Sequence, residues 1–208
     1  MNNLLKCHVQ IFLSLINTIR MTGGVYFTYG RFNPPTTGHK MMIQRMINMA
    51  KKNNATPIVV VSHTKNSNRN PLNTKMKKDV LKAMFGEGLR IDETSGNRLI
   101  GKVVDELLSK PGKVTMVIGT DRKDRFAKFM VPKGVRVIGI NRNMEKGVSA
   151  TKVRNAIRTP GTTAKNLQNR EYMNAKLSSA LIERVMTVVR GNTPSLTPAK
   201  RRRNHASA

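Results

Sequence analysis

The chain has 208 residues, with 38 Lys and Arg against 11 Asp and Glu, a formal net charge of +27; that is enough for one α/β domain with extensions, and polyanions are its natural partners. Cys7 is the only cysteine, which excludes an internal disulfide and a cysteine-built zinc site and points to a reducing, intracellular compartment. No apolar run reaches the roughly 18 residues of a membrane span, and the absence of Trp, with aromatics at 4%, counts against a stacking platform for single strands.

Residues 1–22 form an N-terminal extension. Its apolar patch, Ile11-Phe12-Leu13-Ser14-Leu15-Ile16, is bounded by Gln10 and Asn17 with no small-residue cleavage site after it, so export is not expected. Met21 directly precedes the first core segment. The extension therefore reads either as a translation-start artefact or as a short amphipathic helix packed on the domain.

The run Val25-Tyr26-Phe27-Thr28-Tyr29 predicts a buried strand, broken by Gly30, Pro34 and Pro35 before a helix over 37–52 with Thr36 as its N-cap. Met41, Met42, Met46, Ile47 and Met49 give that helix an apolar face, and methionines at this spacing read as core. Gly30 and Gly38 let the backbone come close to a ligand, and the N–H groups opening the helix face any anion there. His39, in the first turn, is placed to donate to a phosphate oxygen. On its own, a Gly-His pair more often marks an ordinary loop with a surface histidine.

The β-branched run at 57–62 predicts a strand buried on both faces of a parallel sheet, next to the first. A polar loop over 65–73 then lies at the sheet's carboxyl edge, where Lys65, Arg69 and, from the first turn, Arg31 serve either as a phosphate clamp or as solvated loop charges. A helix over 74–85, closed by Gly86 and Gly88, leads to a short strand at 89–92. Next comes a helix over 97–110 with Leu99, Ile100, Val103, Val104, Leu107 and Leu108 turned inward. A strand at 114–119, a helix over 122–130 for which Asp121 is a candidate cap, and a strand at 135–140 complete the alternation. After a polar loop at 141–147, Ser149 and Thr151 stand at a helix start with Arg154 one turn beyond Thr151; alone, such a string usually means a capped helix with a surface arginine. Pro160-Gly161 ends that helix, and 177–190 predicts a final one. The division is a Rossmann-like domain at 23–159, with a parallel sheet and helices on both faces, a helical segment at 160–191, and a disordered basic tail at 192–208. The tail's Lys200-Arg201-Arg202-Arg203 suits a nuclear address or a nucleic-acid contact.

The string Gly30-Arg31-Phe32-Asn33-Pro34-Pro35-Thr36-Thr37-Gly38-His39 resembles the G-x-F-x-P-x-[TH]-x-G-H signature of the nucleotidyltransferase superfamily, with every defining position filled. Val148-Ser149-Ala150-Thr151-Lys152-Val153-Arg154 resembles its second motif, I-S-S-T-x-x-R, with Val for Ile and Ala for the second Ser. Ser62-His63-Thr64, Asn70-Pro71-Leu72 and Gly119-Thr120-Asp121-Arg122 resemble strings of nucleotidyltransferase-like proteins from phages and large viruses. The resemblance spans about 24–158. It implies that Gly30, Phe32, Thr36, Gly38, His39, Gly119, Asp121, Ser149, Thr151 and Arg154 bind the nucleotide. Gly119 and Asp121 would meet the ribose, a carboxylate accepting from sugar hydroxyls.

The implied reaction joins the α-phosphate of a nucleoside triphosphate, ATP favoured over CTP, to a phosphorylated small acceptor and releases pyrophosphate. His39, Thr36 and Arg154 are the catalytic candidates, with Ser149 and Thr151 beside Arg154 on the β and γ phosphates. Magnesium arrives on the triphosphate, with few or no protein carboxylates as ligands. For the acceptor, Gly-Arg-Phe-x-Pro resembles archaeal nicotinamide-mononucleotide adenylyltransferases, and Thr36-Thr37-Gly38-His39 resembles the pantetheine-phosphate and bacterial nicotinate types. The competing expectation is a noncatalytic nucleic-acid-binding protein on the same scaffold.

Overall fold

The computed structural model describes residues 23–65, 69–141 and 148–191. The expectations for 1–22, for the middle of the two carboxyl-edge loops and for the basic tail lie outside those residues. Five parallel strands form one sheet: β1 (Val25–Gly30), β2 (Thr56–Val61), β3 (Arg90–Glu93), β4 (Val114–Gly119) and β5 (Arg136–Ile140), in the spatial order β3-β2-β1-β4-β5. Val25 of β1 lies opposite Thr56 on one side and Val114 on the other. The chain therefore winds outward from β1 in both directions. A crevice opens where the winding reverses, beyond the carboxyl ends of β1 and β4.

The helices are α1 (Thr37–Lys52), α2 (Thr74–Phe85), α3 (Ile100–Leu108), α4 (Thr120–Met130), α5 (Ala150–Arg158), α6 (Ala164–Asn169) and α7 (Ser179–Gly191). They cover both faces because the strands alternate. Tyr26, Val59, Val61 and Val117 pack with Met42, Ile43 and Met46 of α1, Val80 and Leu81 of α2, and Val153 and Ile157 of α5. Phe27, Ile58, Val60, Met116 and Ile118 point the other way, against Val103, Val104 and Leu107 of α3 and Met130 of α4.

α1 and α2 occupy the predicted spans, and Gly86 closes α2 with φ 84°, a left-handed value that glycine adopts without a Cβ penalty. Three expectations change. α3 begins three residues late, because Ser95 and Arg98 exchange backbone hydrogen bonds and form a turn in its place. Leu99 is consequently outside the helix and 59% exposed rather than inward. Asp121 lies inside the first turn of α4, whose N-cap is Gly119, so it does not cap that helix.

α6 was not expected. It is only six residues long, started by Thr163, whose hydroxyl accepts from Asn166 N–H. Its Leu167 is buried with Ile182, Val185 and Val189 of α7. Arg190 of α7 donates to the carbonyls of Ile157 and Thr162, at 3.0 and 2.7 Å. The C-terminal helices thereby brace the C-terminal end of α5.

Candidate functional site

The crevice holds a cavity of ≈ 610 Å³ walled by the turn after β1, the chain after β2, the N-terminal turn of α4 and one side of α5 along its length. The turn is built around Phe32. Its φ of 45° is a left-handed value that costs a bulky residue of the order of 1–2 kcal/mol, and its ring is 1% exposed. A Cβ on Gly30 would come within 2.9 Å of that ring. Glycine is needed at 30 to seat Phe32, a different reason from the close approach of a ligand. The ring also meets His39 edge-on, with centroids 5.1 Å apart.

His39 is oriented from behind. The Thr36 backbone N–H donates to its Nδ1 at 3.1 Å, and an amide can only donate, so the neutral imidazole carries its proton on Nε2. Thr36 Oγ1 lies 2.8 Å from the same Nδ1 and donates to the Val148 carbonyl at 2.8 Å. Thr36 itself is 0% exposed and outside the cavity wall. Its hydroxyl ties the first loop to the second motif, 112 residues on.

A second tie runs through Arg154, 8% exposed, whose Nη1 donates to the Asn33 carbonyl at 2.6 Å and whose Nη2 donates to Thr151 Oγ1 at 3.1 Å. Asn33 in turn grips the chain after β2. Its Oδ1 accepts from Leu72 N–H at 2.9 Å and its Nδ2 reaches the Leu72 carbonyl at 3.5 Å. Ser149 caps α5, its hydroxyl oxygen accepting from Lys152 N–H at 3.1 Å.

Arg31, Phe32, His39, Arg69, Asp121, Ser149, Thr151 and Arg154, all site candidates from the sequence, come together on the cavity wall. Gly30, Thr36, Gly38, Gly119 and Lys65 do not line it. Asn33, Asn70, Arg122, Asn155 and Arg158 line it and were not expected as site residues. The spacing held a signal for one of them, since Arg158 is four residues beyond Arg154 and so on the same helix face.

The wall is strongly cationic. Five guanidiniums, of Arg31, Arg69, Arg122, Arg154 and Arg158, face one carboxylate, Asp121. Burial, and then the like charges of Arg158, Arg31 and Arg69, disfavour the charged form of Arg154. Arginine stays protonated regardless, so the fold carries the cost of its burial first and of the like-charge repulsion second. Behind the wall, Lys77 is 0% exposed and donates to the Ser62 and Thr64 carbonyls at 2.8 and 2.9 Å. Burial, with a smaller contribution from Arg31, lowers its pKa to about 8.

No cluster of three metal-binding side chains occurs among the described residues. One carboxylate and one imidazole amid five guanidiniums suit an anion, and a divalent ion would enter on the phosphates as part of the substrate. Among the described residues, no helix is long and apolar enough to cross a membrane.

A parallel sheet in this order, with a cationic crevice at its switch point, is a Rossmann-like α/β domain with an anion-suited site. The chain matches the Cytidylyltransferase-like family over residues 27–159 and belongs to it. Comparison with curated proteins gives no match. Among solved structures, the Francisella tularensis bifunctional NMN adenylyltransferase/ADP ribose pyrophosphatase, complexed with AMP and a manganese ion, is similar at 18% identity and TM-score 0.53, over 81% of this chain and 52% of that one. The Plasmodium falciparum nicotinic acid mononucleotide adenylyltransferase complexed with APC is similar at 11% identity and TM-score 0.53, over 79% of this chain and 98% of that one. Thermotoga maritima TmcAL bound with alpha-thio ATP is similar at 12% identity and TM-score 0.52, over 81% of this chain and 57% of that one. This chain thus spans about half the length of the Francisella and Thermotoga proteins, and at these identities the likeness is one of fold.

Proposed function

We propose that the chain transfers a nucleotidyl group from a nucleoside triphosphate, ATP favoured, to a phosphate on an acceptor. The observation that carries this reading is the convergence of His39 and Arg154, 115 positions apart in the sequence, on one wall of one open cavity. A nonbridging oxygen of the acceptor phosphate attacks the α-phosphorus. The bond from that phosphorus to the oxygen bridging to the β-phosphate breaks, and pyrophosphate leaves with the electron pair.

The attacking group is already an anion, so the protein need not supply a base. Its task is to hold two anions in line and to absorb charge as it builds. Nε2–H of His39 donates to the α-phosphate. Arg154 and Arg158, one turn apart on α5, take the β and γ phosphates with the Ser149 and Thr151 hydroxyls. Asp121 accepts from the ribose hydroxyls. Arg31 and Arg69, on the far side of β1 from Asp121, receive the acceptor phosphate. Thr36 acts through His39 and Val148 without touching substrate. A divalent ion carried by the triphosphate offsets part of its charge; magnesium is the expected ion, and the manganese bound to the Francisella protein is consistent with a divalent requirement.

The test is a screen of the four triphosphates against phosphorylated acceptors with pyrophosphate detection. At least one pair is expected to turn over in a magnesium-dependent manner. His39→Ala should lower kcat by about 10²–10³-fold, the usual effect of removing one donor to a transition-state anion. If no pair releases pyrophosphate, or His39→Ala leaves the rate unchanged, the reading fails.

A further inference from the structure

We infer, resting on the transfer reading above, that the acceptor is the 5′-phosphorylated end of a single nucleic-acid strand, with the terminal phosphate in the cavity and the next ones on basic residues flanking its mouth.

The first support is where the acids are. The six acidic residues from Asp79 to Glu106 are all held in local ion pairs with lysines or arginines on the α2–β3–α3 side of the fold. No acidic residue precedes Asp79, so β1, α1, β2 and the loops that follow β1 and β2 carry cations without acidic residues of their own, while Asp121 lies on the cavity wall and Glu171 on the α1 N-terminus. On the cavity wall this leaves five guanidiniums against one carboxylate.

The second is quantity. A triphosphate carrying a divalent ion and one phosphate monoester together bring roughly four negative charges, and five guanidiniums less Asp121 already meet that inside the cavity. The bases outside are surplus to any small acceptor. An excess of one sign costs self-repulsion unless a polyanion covers it.

The third is placement. Thr37 Oγ1 donates to the Glu171 carbonyl at 2.7 Å, seating residues 170–172 on the α1 N-terminus beside His39. Lys152 of α5 reaches over the Tyr172 ring, 5.5 Å from its centroid. Lys152 and Arg170, both exposed and outside the cavity lining, therefore stand at a lip of the cavity beside the α5 N-terminus. A mouth with this basic lip beyond its own guanidiniums admits a strand that continues outward. With so few aromatics, the strand is held by its backbone and read without sequence preference.

The chemistry is that of the transfer itself. An oxygen of the terminal 5′-phosphate forms the new bond to the α-phosphorus, pyrophosphate departs, and the product is a strand one nucleotide longer joined 5′ to 5′ through a phosphoanhydride.

The experiment gives the full chain end-labelled RNA and DNA oligonucleotides bearing a 5′-phosphate, with triphosphate and magnesium, beside a 5′-mononucleotide as the minimal acceptor. The expected result is a product one nucleotide longer whose label resists phosphatase, with none formed from 5′-hydroxyl strands. The double variant Lys152→Glu/Arg170→Glu should raise the oligonucleotide concentration for half-maximal rate tenfold or more while leaving transfer to the mononucleotide unchanged. It should also flatten the log–log salt dependence by about 0.7 for each phosphate that is no longer neutralised. If the mononucleotide or another small acceptor turns over while 5′-phosphorylated strands are neither modified nor inhibitory, the inference is overturned and the transfer reading stands. If strands are modified but the double variant behaves as the parent, the flanking surface is overturned. If no acceptor of any kind releases pyrophosphate, the transfer reading goes first.

Discussion

Arg98, just after β3 and partly exposed, and Arg154, buried at the carboxyl edge of the sheet, are both tied into the fold by hydrogen bonds, and their surroundings are opposite. Arg98 donates to both oxygens of Asp92, to both oxygens of Glu106 and to the Glu93 carbonyl. Its charged form is favoured by Glu106 and then Asp92, and the Arg98 bond holds Glu106 below the usual carboxylate range. Asp92 is held low as well, although its burial works against this and the Arg98 bonds must overcome it. Arg154 has a carbonyl and a hydroxyl for partners, and Arg158, Arg31 and Arg69 for neighbours. Arg98 is electrically finished within the fold. Arg154 is left with neutral partners and like-charged neighbours, and on the transfer reading that difference separates a structural cation from one that receives an anion.

The two arginines should part most widely in activity. Arg154→Ala should lower kcat/KM for nucleotidyl transfer by about 10²–10³-fold, while Arg98→Ala should leave it unchanged per folded molecule. Arg154→Lys should recover only part of the loss, because an ammonium keeps the charge and loses the fork. Circular dichroism melts on each variant keep loss of fold apart from loss of chemistry. Equal activity losses in folded Arg98 and Arg154 variants would end the distinction.

Inorganic tripolyphosphate makes the same point without catalysis. At a hundred times its Kd it should stabilise the parent by about 2.7 kcal/mol in a thermal shift measurement. Arg98→Ala should keep that increment and Arg154→Ala should lose most of it. In the absence of anion the order of damage reverses. Arg98→Ala should cost about 1–2 kcal/mol in urea unfolding, since it removes the side-chain bonds that join Asp92, the Glu93 carbonyl and Glu106; a loss below a few tenths would make the Arg98 network decorative.

What the sequence made legible was local or periodic. The β-branched runs of β2 and β4, the glycine and proline stops, and the apolar face of α1 each carry their signal within a few neighbouring residues, and the sheet followed from them. α6 was missed because one six-residue turn with Leu167 as its anchor has no period to detect. Leu99 was misplaced because its apolar character fits the face of α3, while the turn at Ser95 and Arg98 that ends its helical phase is a hydrogen-bond pattern of polar residues. At the site, the strings around His39 and Arg154 could be read, but what joins them could not. The Thr36–Val148, Arg154–Asn33 and Asn33–Leu72 bonds link residues 112, 121 and 39 positions apart. A buried threonine that orients an imidazole looks, in one dimension, the same as a threonine that touches phosphate.

Lys77 gives the gentlest probe of the contrast, because it belongs to the Arg154 side and can lose its proton. It is fully buried with only carbonyls for partners, and its pKa is lowered from 10.5 to about 8. Between those two values the unfolded chain binds more protons at this site than the folded one, so stability rises with pH through the window and the penalty is fully present below about 8. Other lysines titrate over the same range, and Lys77→Met removes their contribution by difference. The stability of the parent relative to Lys77→Met should grow by about 1 kcal/mol from about pH 7 to about pH 9, measured by urea unfolding in matched buffers. A difference that is flat, or that shrinks as pH rises, would mean the Ser62 and Thr64 carbonyls solvate the ammonium well enough to offset its burial, and Lys77 would then belong with Arg98 as a satisfied cation.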